Sequence, residues 1–302
     1  MSELPAPAES LVLSLADGTE ILVRRLGTQA GPRLALSHGN GLAIDGYFPF
    51  WRHFLARYDL VMFDLRNHGR NAVRPDLRHD WDVLTDDIVA IAGLIRRSFG
   101  DKKMTALVHS ASSMASLNAM RRGARPWDAL VAFDPPLFPP PDHALRPQAE
   151  REWASLVSRA RRRPERYDDP SGLAQQFRRS SYMRRWVPEA FDLMARATLR
   201  RDPARGDWAL ACPRDFEARL FETNRDPGFF LEIGGLPGPL TVIGADPEQP
   251  DAKIPPLINR LLADRIDYRP IADSSHFLQI ERPLECVAAV EDFLRTHRLG
   301  AD

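Results

Sequence analysis

The sequence predicts an α/β protein with a doubly wound, mostly parallel central sheet and a helical insertion after the sixth strand. Over roughly the first 134 residues, short apolar runs alternate with longer helical patterns, which is the order of βαβ units. A proline-dense connector and a long helical stretch follow, and the strand pattern returns after about residue 236. At 302 residues, of which 44% are hydrophobic, the chain is long enough to bury a large core.

Eight short apolar runs are predicted as strands. The first two flank Asp17 and Gly18, a turn signal that is typical of hairpins. The runs at 60–63, 105–108 and 129–133 are bounded by polar residues or glycine, which fits strands that are covered on both faces of a parallel sheet. The predicted strands cover residues 10–15, 21–26, 33–37, 59–63, 104–108, 129–133, 239–244 and 265–271.

Helices are predicted between these strands from apolar periodicity. In the segment 84–99, Leu84, Ile88, Ile91 and Ile95 recur at spacings of three and four, which puts them on one helix face. Shorter or less regular patterns predict the other helices of the α/β part. These cover residues 47–57, 112–122, 253–263 and 283–295.

The insertion divides the chain into two predicted parts. Residues 1–135 and 236–302 form the α/β core, and residues 136–235 form a helical cap. Within the cap, the segment 143–230 has helical patterns and no strand-like run. Because ligands bind at the carboxyl ends of the strands in open α/β sheets, such an insertion can roof the binding site.

Composition excludes several functional classes. The 41 basic and 41 acidic residues balance, whereas a dedicated nucleic-acid binder carries a basic excess, so no nucleic-acid partner is expected. Cys212 and Cys286 are too few for a disulfide framework. The N-terminus lacks a secretory pattern, and no apolar run approaches the roughly 18–20 residues of a membrane span. We therefore expect a cytoplasmic protein without a membrane span.

The basic residues are almost all arginine, since only three of the 41 are lysine. Over residues 143–225 there are 18 arginines against 12 acidic residues. A solvated helical surface is the simpler interpretation of this excess. Recognition of an anionic substrate by arginine forks is the alternative.

The stretch LVHSASSMAS, residues 107–116, has the outline of a turn that exposes a nucleophilic serine. Ser110 lies just past a predicted strand and just before a predicted helix, as such a turn requires. The usual flanking glycines are replaced by Val108 and Ser112. Ser113 is a rival because alanine occupies both of its flanking positions, but it falls about one helical turn beyond the strand. Ser112 is a third candidate, and capping of the helix is the simplest role for a serine here.

A glycine-rich loop follows the strand at 33–37. The sequence His-Gly-Asn-Gly begins at His38, and glycines directly after a strand allow backbone N–H groups to face a cavity. We expect the N–H groups of Asn40 and Ala111 to form an oxyanion hole. His38 itself is predicted to support the loop.

The base and the acid of a catalytic triad have several candidates. His276 is the predicted base because it lies in a small polar loop between the last strand and the closing helix, whereas His297 lies at a helix end. The predicted acid is Asp246, directly after the strand at 239–244. Asp134, which ends another predicted strand, is the second candidate, and Asp251 is the third.

Five segments together resemble the α/β-hydrolase superfamily, in its branch of capped serine hydrolases that includes esterases and lipases. They occur in the family's order at sensible separations. The segments are SHGNG (37–41), FDLRNHGRN (63–71), LVHSASS (107–113), VIGAD (242–246) and SSHFLQIERP (274–283). In the second of these, His68 is expected to be structural.

The resemblance implies hydrolysis of a carboxylic ester or related acyl compound through an acyl-enzyme. Ser110 would be the nucleophile, His276 the base and Asp246 the acid, with the oxyanion held by Asn40 and Ala111. Hydrolysis of a C–C bond, lactone or thioester, or acyl transfer, would use the same groups. A degenerate homologue that binds a small ligand without catalysis is the alternative of another class. A small acyl molecule is the expected partner, no cofactor or metal is expected, and a homo-oligomer is left open.

Overall fold

The computed structural model describes residues 4–301, which form eleven strands and eleven α-helices. The strands are β1 (Glu9–Ser14), β2 (Glu20–Gly27), β3 (Arg33–Ser37), β4 (Asp59–Phe63), β5 (Met104–His109), β6 (Ala129–Phe133), β7 (Arg166–Tyr167), β8 (Leu199–Arg201), β9 (Trp208–Leu210), β10 (Leu240–Gly244) and β11 (Asp267–Pro270). All eight strands predicted from the sequence are present, with bounds that differ by at most a few residues.

Eight of the strands form one sheet in the order β1-β2-β4-β3-β5-β6-β10-β11. β1 and β2 pair antiparallel with each other, and β2 also pairs antiparallel with β4. All the remaining pairs are parallel, so the predicted mostly parallel sheet is confirmed. Parallel neighbours place the carboxyl ends of β5, β6 and β10 side by side at one edge, where the candidate site lies.

Helices cover both faces of this sheet. The α-helices are α1 (Phe48–Trp51), α2 (Trp81–Phe99), α3 (Ala111–Arg121), α4 (Arg146–Arg162), α5 (Pro170–Arg179), α6 (Pro188–Ala197), α7 (Arg214–Thr223), α8 (Gly228–Glu232), α9 (Ile254–Asn259), α10 (Leu278–Glu281) and α11 (Pro283–Thr296). The side chain of Asp80 caps α2 by accepting a hydrogen bond from Val83 N–H at 3.1 Å. No helix within residues 4–301 has both the length and the apolar character needed to cross a bilayer.

The alternation of side chains along each strand builds two hydrophobic cores. In β4, Leu60 and Met62 belong to one buried cluster, while Val61 and Phe63 belong to the other. Both faces of the strand are therefore buried, which explains why its residues 60–63 form an unbroken apolar run rather than an alternating pattern. The doubly wound α/β class predicted from the sequence is confirmed by this arrangement.

Two regions differ from the expectation. The helix predicted at 47–57 is three single turns between Ile44 and Phe54, in a stretch rich in aromatic residues, which are weak helix formers. The insertion between β6 and β10 contains α4 to α8, but also a separate sheet in the order β7-β9-β8. These strands have only two or three residues, too few to show an alternating pattern.

Candidate active site

Ser110 lies on a strained turn between β5 and α3. Its φ of 51° and ψ of −109° fall in a region that residues with a side chain rarely adopt. The turn is held from both sides, because Ser110 N–H donates to the Phe133 carbonyl at 3.0 Å and Met114 N–H donates to the Ser110 carbonyl at 2.9 Å. The expected placement of Ser110 between strand and helix agrees with this geometry.

The two side chains that replace the usual glycines fit this turn without displacing it. Val108 is fully buried in the hydrophobic core, on the strand side of the turn. The hydroxyl of Ser112 accepts from His109 N–H and donates to the His109 carbonyl, both at 3.0 Å. The rival Ser113 is also buried, and its hydroxyl donates to the Ser110 carbonyl at 2.6 Å. The hydroxyls of Ser112 and Ser113 are thus bonded within the turn.

His276 bridges Ser110 to a buried carboxylate. Its Nε2 lies 3.0 Å from Ser110 Oγ, and its Nδ1 lies 2.7 Å from Oδ2 of Asp134. Since an ionised carboxylate only accepts, the Nδ1–H donates to Asp134 and the lone pair on Nε2 faces the serine hydroxyl. This is the protonation state in which His276 can accept a proton from Ser110.

The predicted acid Asp246 does not contact His276, whose Nδ1 faces Asp134 instead. Asp246 accepts hydrogen bonds from the backbone N–H of Glu248 and Asp273 and from the side chain of Gln249. Burial opposes its charged form, but these donors prevail and hold the pKa of Asp246 below its ordinary value. It therefore ties the turn after β10 to the loop after β11.

The order of strands in the sheet explains why Asp134, and not Asp246, contacts His276. Asp134 directly follows β6, the immediate neighbour of β5, whereas Asp246 follows β10, which is one strand farther from Ser110. The Asp134 side chain is fully buried, and its Oδ1 accepts from Ala245 N–H at 3.2 Å and from Asn259 Nδ2 at 2.9 Å. These donors fix the carboxylate so that Oδ2 faces the histidine.

The remaining candidates make no hydrogen bond with Ser110 or with the imidazole of His276 among the residues that the structure describes. Asp251 is exposed and pairs with Arg184 at 3.4 Å. His297 follows the end of α11, where its ring packs on Phe293.

The glycine-rich loop after β3 approaches the turn at Ser110 closely. A Cβ atom on Gly39 would lie 2.9 Å from His109 Nδ1 and 3.1 Å from Ser110 Cβ, so no larger residue fits without a shift. Asn40 and Ala111 both line the cavity beside Ser110. Their backbone N–H groups have no hydrogen-bond acceptor among residues 4–301, which leaves both free for a bound oxyanion.

A buried chain of hydrogen bonds, which the sequence did not reveal, connects this loop to His276. Gly39 N–H donates to the Tyr47 hydroxyl at 3.3 Å, and that hydroxyl lies 2.7 Å from His109 Nδ1. His109 Nε2 lies 2.8 Å from the His276 carbonyl, to which it must donate. Burial lowers the pKa of His109 well below its ordinary value, so the ring is neutral and can bridge the two groups. The one signal in the sequence that could have drawn attention to His109 is its position directly before Ser110.

Glu281 is a second residue that the sequence did not single out. Its carboxylate accepts from the backbone N–H and from the hydroxyl of Ser275, each at 2.6 Å. Burial raises the pKa of Glu281, although these hydrogen bonds oppose the shift. The carboxylate thus clamps the residue directly before His276.

The histidines predicted to be structural are fully buried. His38 Nε2 accepts from Leu65 N–H at 3.1 Å, and His68 Nε2 accepts from Gly41 N–H at 3.0 Å. Both rings therefore join the glycine-rich loop to the segment after β4. Burial lowers the pKa of both residues.

One group of side chains has the composition of a metal site. The ligand atoms of His68, His79 and Cys212 lie within 4.8 Å of one another, and all three residues are buried. However, the Nε2 lone pair of His68 is occupied by Gly41 N–H, while its Nδ1 contacts the Arg66 carbonyl. A metal would have to displace a hydrogen bond of the loop, so the donor set does not fit a resident ion.

Ser110 opens into a cavity of about 570 Å³. Its floor is formed by the glycine-rich loop, the serine turn and the loop of His276. Its roof comes from the insertion, including Trp153 and Leu156 of α4 and Phe177 of α5. Such a volume suits a small organic molecule.

Comparison with known proteins agrees with this architecture. No curated protein matches the chain by sequence. Among solved structures, an E-2-(acetamidomethylene)succinate hydrolase is 16% identical, with a TM-score of 0.75 over 95% of this chain and 99% of the other. An esterase from Thermogutta terrifontis is 19% identical, with a TM-score of 0.68 over 96% and 99% of the two chains. The N-formylmaleamic acid deformylase of Pseudomonas putida S16 is 19% identical, with a TM-score of 0.63 over 93% and 100%.

These likenesses concern the fold. The decisive match is that of the sequence profile of the "Alpha/beta hydrolase family", which covers residues 34–289. This range contains the glycine-rich loop, Ser110, Asp134 and His276, and it is well over half of the chain. The expectation of a hydrolase is thereby confirmed, and the chain belongs to the alpha/beta hydrolase family.

Proposed function

We propose that the protein is a serine hydrolase that cleaves a carboxylic ester or a related acyl compound through an acyl-enzyme. The observation that carries the proposal is the chain from Ser110 Oγ through His276 to Asp134, at 3.0 and 2.7 Å. In this chain the hydroxyl faces a histidine lone pair, and the opposite nitrogen faces a fully buried carboxylate. That is the arrangement needed to activate a serine hydroxyl as a nucleophile.

In the first half of the reaction, Ser110 Oγ attacks the substrate carbonyl while His276 Nε2 takes the hydroxyl proton. Asp134 stabilises the imidazolium that forms. The tetrahedral oxyanion accepts hydrogen bonds from the N–H groups of Asn40 and Ala111. When the intermediate collapses, the bond to the alcohol breaks, His276 returns its proton to the leaving oxygen, and the acyl group remains on Ser110.

In the second half, water takes the place of the alcohol. His276 removes a proton from the water, whose oxygen attacks the acyl carbonyl at the same oxyanion position. Collapse breaks the bond to Ser110, which recovers its proton from His276, and the carboxylic acid leaves. Thioesters, lactones and activated C–C bonds could react at the same groups, as could an acceptor alcohol in acyl transfer. We place ester hydrolysis first because it needs nothing beyond the groups described.

The alternative of a non-catalytic binding protein was based on the two missing glycines. The burial of Val108 in the core and the hydrogen bonds of Ser112 around the turn argue against that alternative. The strained φ of Ser110 also supports catalysis, because backbone strain of this kind concentrates at functional sites.

Labelling with a fluorophosphonate tests the proposal. The wild-type protein should be labelled, and Ser110→Ala should lose the label because Ser110 carries the only hydroxyl among residues 4–301 that contacts His276 Nε2. Ser113→Ala is the matched control, since it removes a hydroxyl of the same turn that bonds to the Ser110 carbonyl. Label that persists in Ser110→Ala, together with ester turnover, would refute the assignment of the nucleophile.

A further inference from the structure

One wall of the cavity carries a largely buried guanidinium, of which one nitrogen has no hydrogen-bond acceptor. Arg163 directly follows α4 and lines the cavity together with the glycine-rich loop and Ser110. Its Nη1 donates to the Glu217 carboxylate at 2.9 Å. Its Nη2 is buried and meets no acceptor in hydrogen-bond geometry among residues 4–301, although the guanidinium also interacts with the Tyr167 hydroxyl. A buried guanidinium N–H that remains unpaired costs free energy, so this position favours a ligand that brings an oxygen acceptor.

The guanidinium is held beside the reacting centre. Asn40 Nδ2 donates to the backbone carbonyl of Glu217 at 2.8 Å. A Cβ atom on Gly41 would lie 2.6 Å from the carboxyl carbon of Glu217, so the carboxylate packs directly on the glycine-rich loop. Glu217 therefore fixes Arg163 against the loop that supplies one of the proposed oxyanion donors. Because Arg163 and Ser110 line the same cavity, an anion bound against the guanidinium would share that cavity with the reacting carbonyl.

The charge of the cavity walls is also suited to an anion. Six basic and four acidic side chains line the cavity. Each of the four carboxylates already interacts with a donor of the protein. The pairs are Glu152 with Ile254 N–H, Glu217 with Arg163, Asp251 with Arg184, and Asp246 with Asp273 N–H. Among the described residues, two cations have only an aromatic contact, since Arg159 and Lys253 lie 3.9 and 5.6 Å from the centre of the Tyr182 ring. The potential within such a cleft attracts negative charge.

We propose that the natural substrate carries a carboxylate, which pairs with the Arg163 guanidinium while Ser110 attacks the ester carbonyl. This rests on the proposed function of Ser110 and narrows it to half-esters and similar short anionic acyl compounds. A monoanion fits better than a dianionic phosphate, because the neighbouring Glu217 already compensates most of the charge of Arg163. One arginine of the insertion thus serves recognition of the substrate.

Kinetics on paired substrates tests the proposal. Monoethyl glutarate carries a carboxylate on the acyl side of the ester, and its neutral partner is diethyl glutarate. Acetoxyacetate carries the carboxylate on the alcohol side, and its neutral partner is ethyl acetoxyacetate. The wild-type protein should prefer at least one charged ester over its neutral partner by tenfold or more in kcat/KM. Arg163→Lys keeps the charge beside Glu217 but loses the planar fork. It should raise KM for the preferred charged ester about tenfold and leave the neutral ester within about twofold.

Arg161→Lys is the matched control, because Arg161 is exposed and pairs with Glu222 outside the cavity lining. Arg161→Lys should leave the kinetic constants for both the charged and the neutral ester unchanged. Glu217→Gln is a second variant that removes the competing charge and keeps an acceptor for Arg163, so it should strengthen the preference for the charged ester. Equal turnover of charged and neutral esters in the wild type, unaltered in Arg163→Lys, would overturn the proposal.

A binding measurement separates this proposal from the proposed function. Calorimetry on Ser110→Ala should show that glutarate binds and that the neutral diamide glutaramide does not. Adding Arg163→Lys should weaken glutarate binding about tenfold. Glutarate binding by a protein without esterase activity would refute the catalytic proposal alone. Turnover of neutral esters without any binding of glutarate would refute the anionic substrate alone.

Discussion

Replacing Asp134 by asparagine tests the assignment of the acid most directly. The change removes one negative charge and keeps the size of a fully buried side chain. In the native protein, Oδ1 of Asp134 accepts from the N–H groups of Ala245 and Asn259, while Oδ2 accepts from His276 Nδ1 at 2.7 Å. In Asp134→Asn, the amide oxygen has to stay with the two donors, because an amide nitrogen there would oppose them.

The amide nitrogen of that variant must therefore face His276. It donates to Nδ1, which forces the ring proton onto Nε2 and removes the lone pair that receives the Ser110 proton. Loss of the correct tautomer in a serine–histidine–aspartate triad lowers kcat by about 10⁴-fold, or about 5.5 kcal/mol of transition-state stabilisation. We expect a loss of this size in Asp134→Asn.

Asp246→Asn is the matched control. Asp246 accepts from the N–H groups of Glu248 and Asp273 and from Gln249, and an amide oxygen can retain part of these bonds. The expected cost is about 1–3 kcal/mol in the free energy of unfolding, with less than a tenfold loss of activity.

Hydrolysis of p-nitrophenyl butyrate measures both variants, and circular dichroism confirms that each is folded. A larger loss of kcat in Asp246→Asn than in Asp134→Asn would show that the hydrogen-bond argument for the acid is wrong.

Two further predictions concern buried polar groups near the site. Tyr47→Phe should lower the free energy of unfolding by about 1–3 kcal/mol, because Gly39 N–H and His109 Nδ1 both lose their hydrogen-bond partner. Urea unfolding measures this loss. The value of kcat/KM should also fall about tenfold, because the loops that carry the catalytic groups become less rigid. Burial lowers the pKa of His79 from its ordinary 6.5 to about 4 in the folded protein. Between these two pH values the unfolded chain binds a proton that the folded protein does not, so the free energy of unfolding should fall as the pH drops from 6.5 to 4. His79→Phe should remove about 2 kcal/mol of the loss between pH 7 and 5, and an unchanged pH dependence in urea unfolding would contradict the assignment.

The sequence of a short segment was sufficient to predict those strands and helices whose hydrophobic pattern lies within that segment. The core strands contain short apolar runs, and Ser110 follows one of these strands directly, so both could be predicted. The acid could not be chosen in this way, because Asp134 and Asp246 each follow a buried strand and only the order of strands in the sheet separates them. Arg163 was one of 18 arginines over residues 143–225, and only the packing of the insertion shows that one of its donors is buried.

The strained turn also shows how a glycine can be replaced when its neighbours are small. Alternation along β5 turns the Val108 side chain into the core cluster that contains Ala111 and not toward His276. Its partners on the adjoining strands are Ser37 of β3 and Ala132 of β6, which leave room for a branched side chain. The volume that glycine would leave empty is thus filled by valine against small residues, and burial of its methyl groups adds to stability. The valine at this position therefore packs under the turn, and Ser110 Oγ lies 3.0 Å from His276 Nε2 above it.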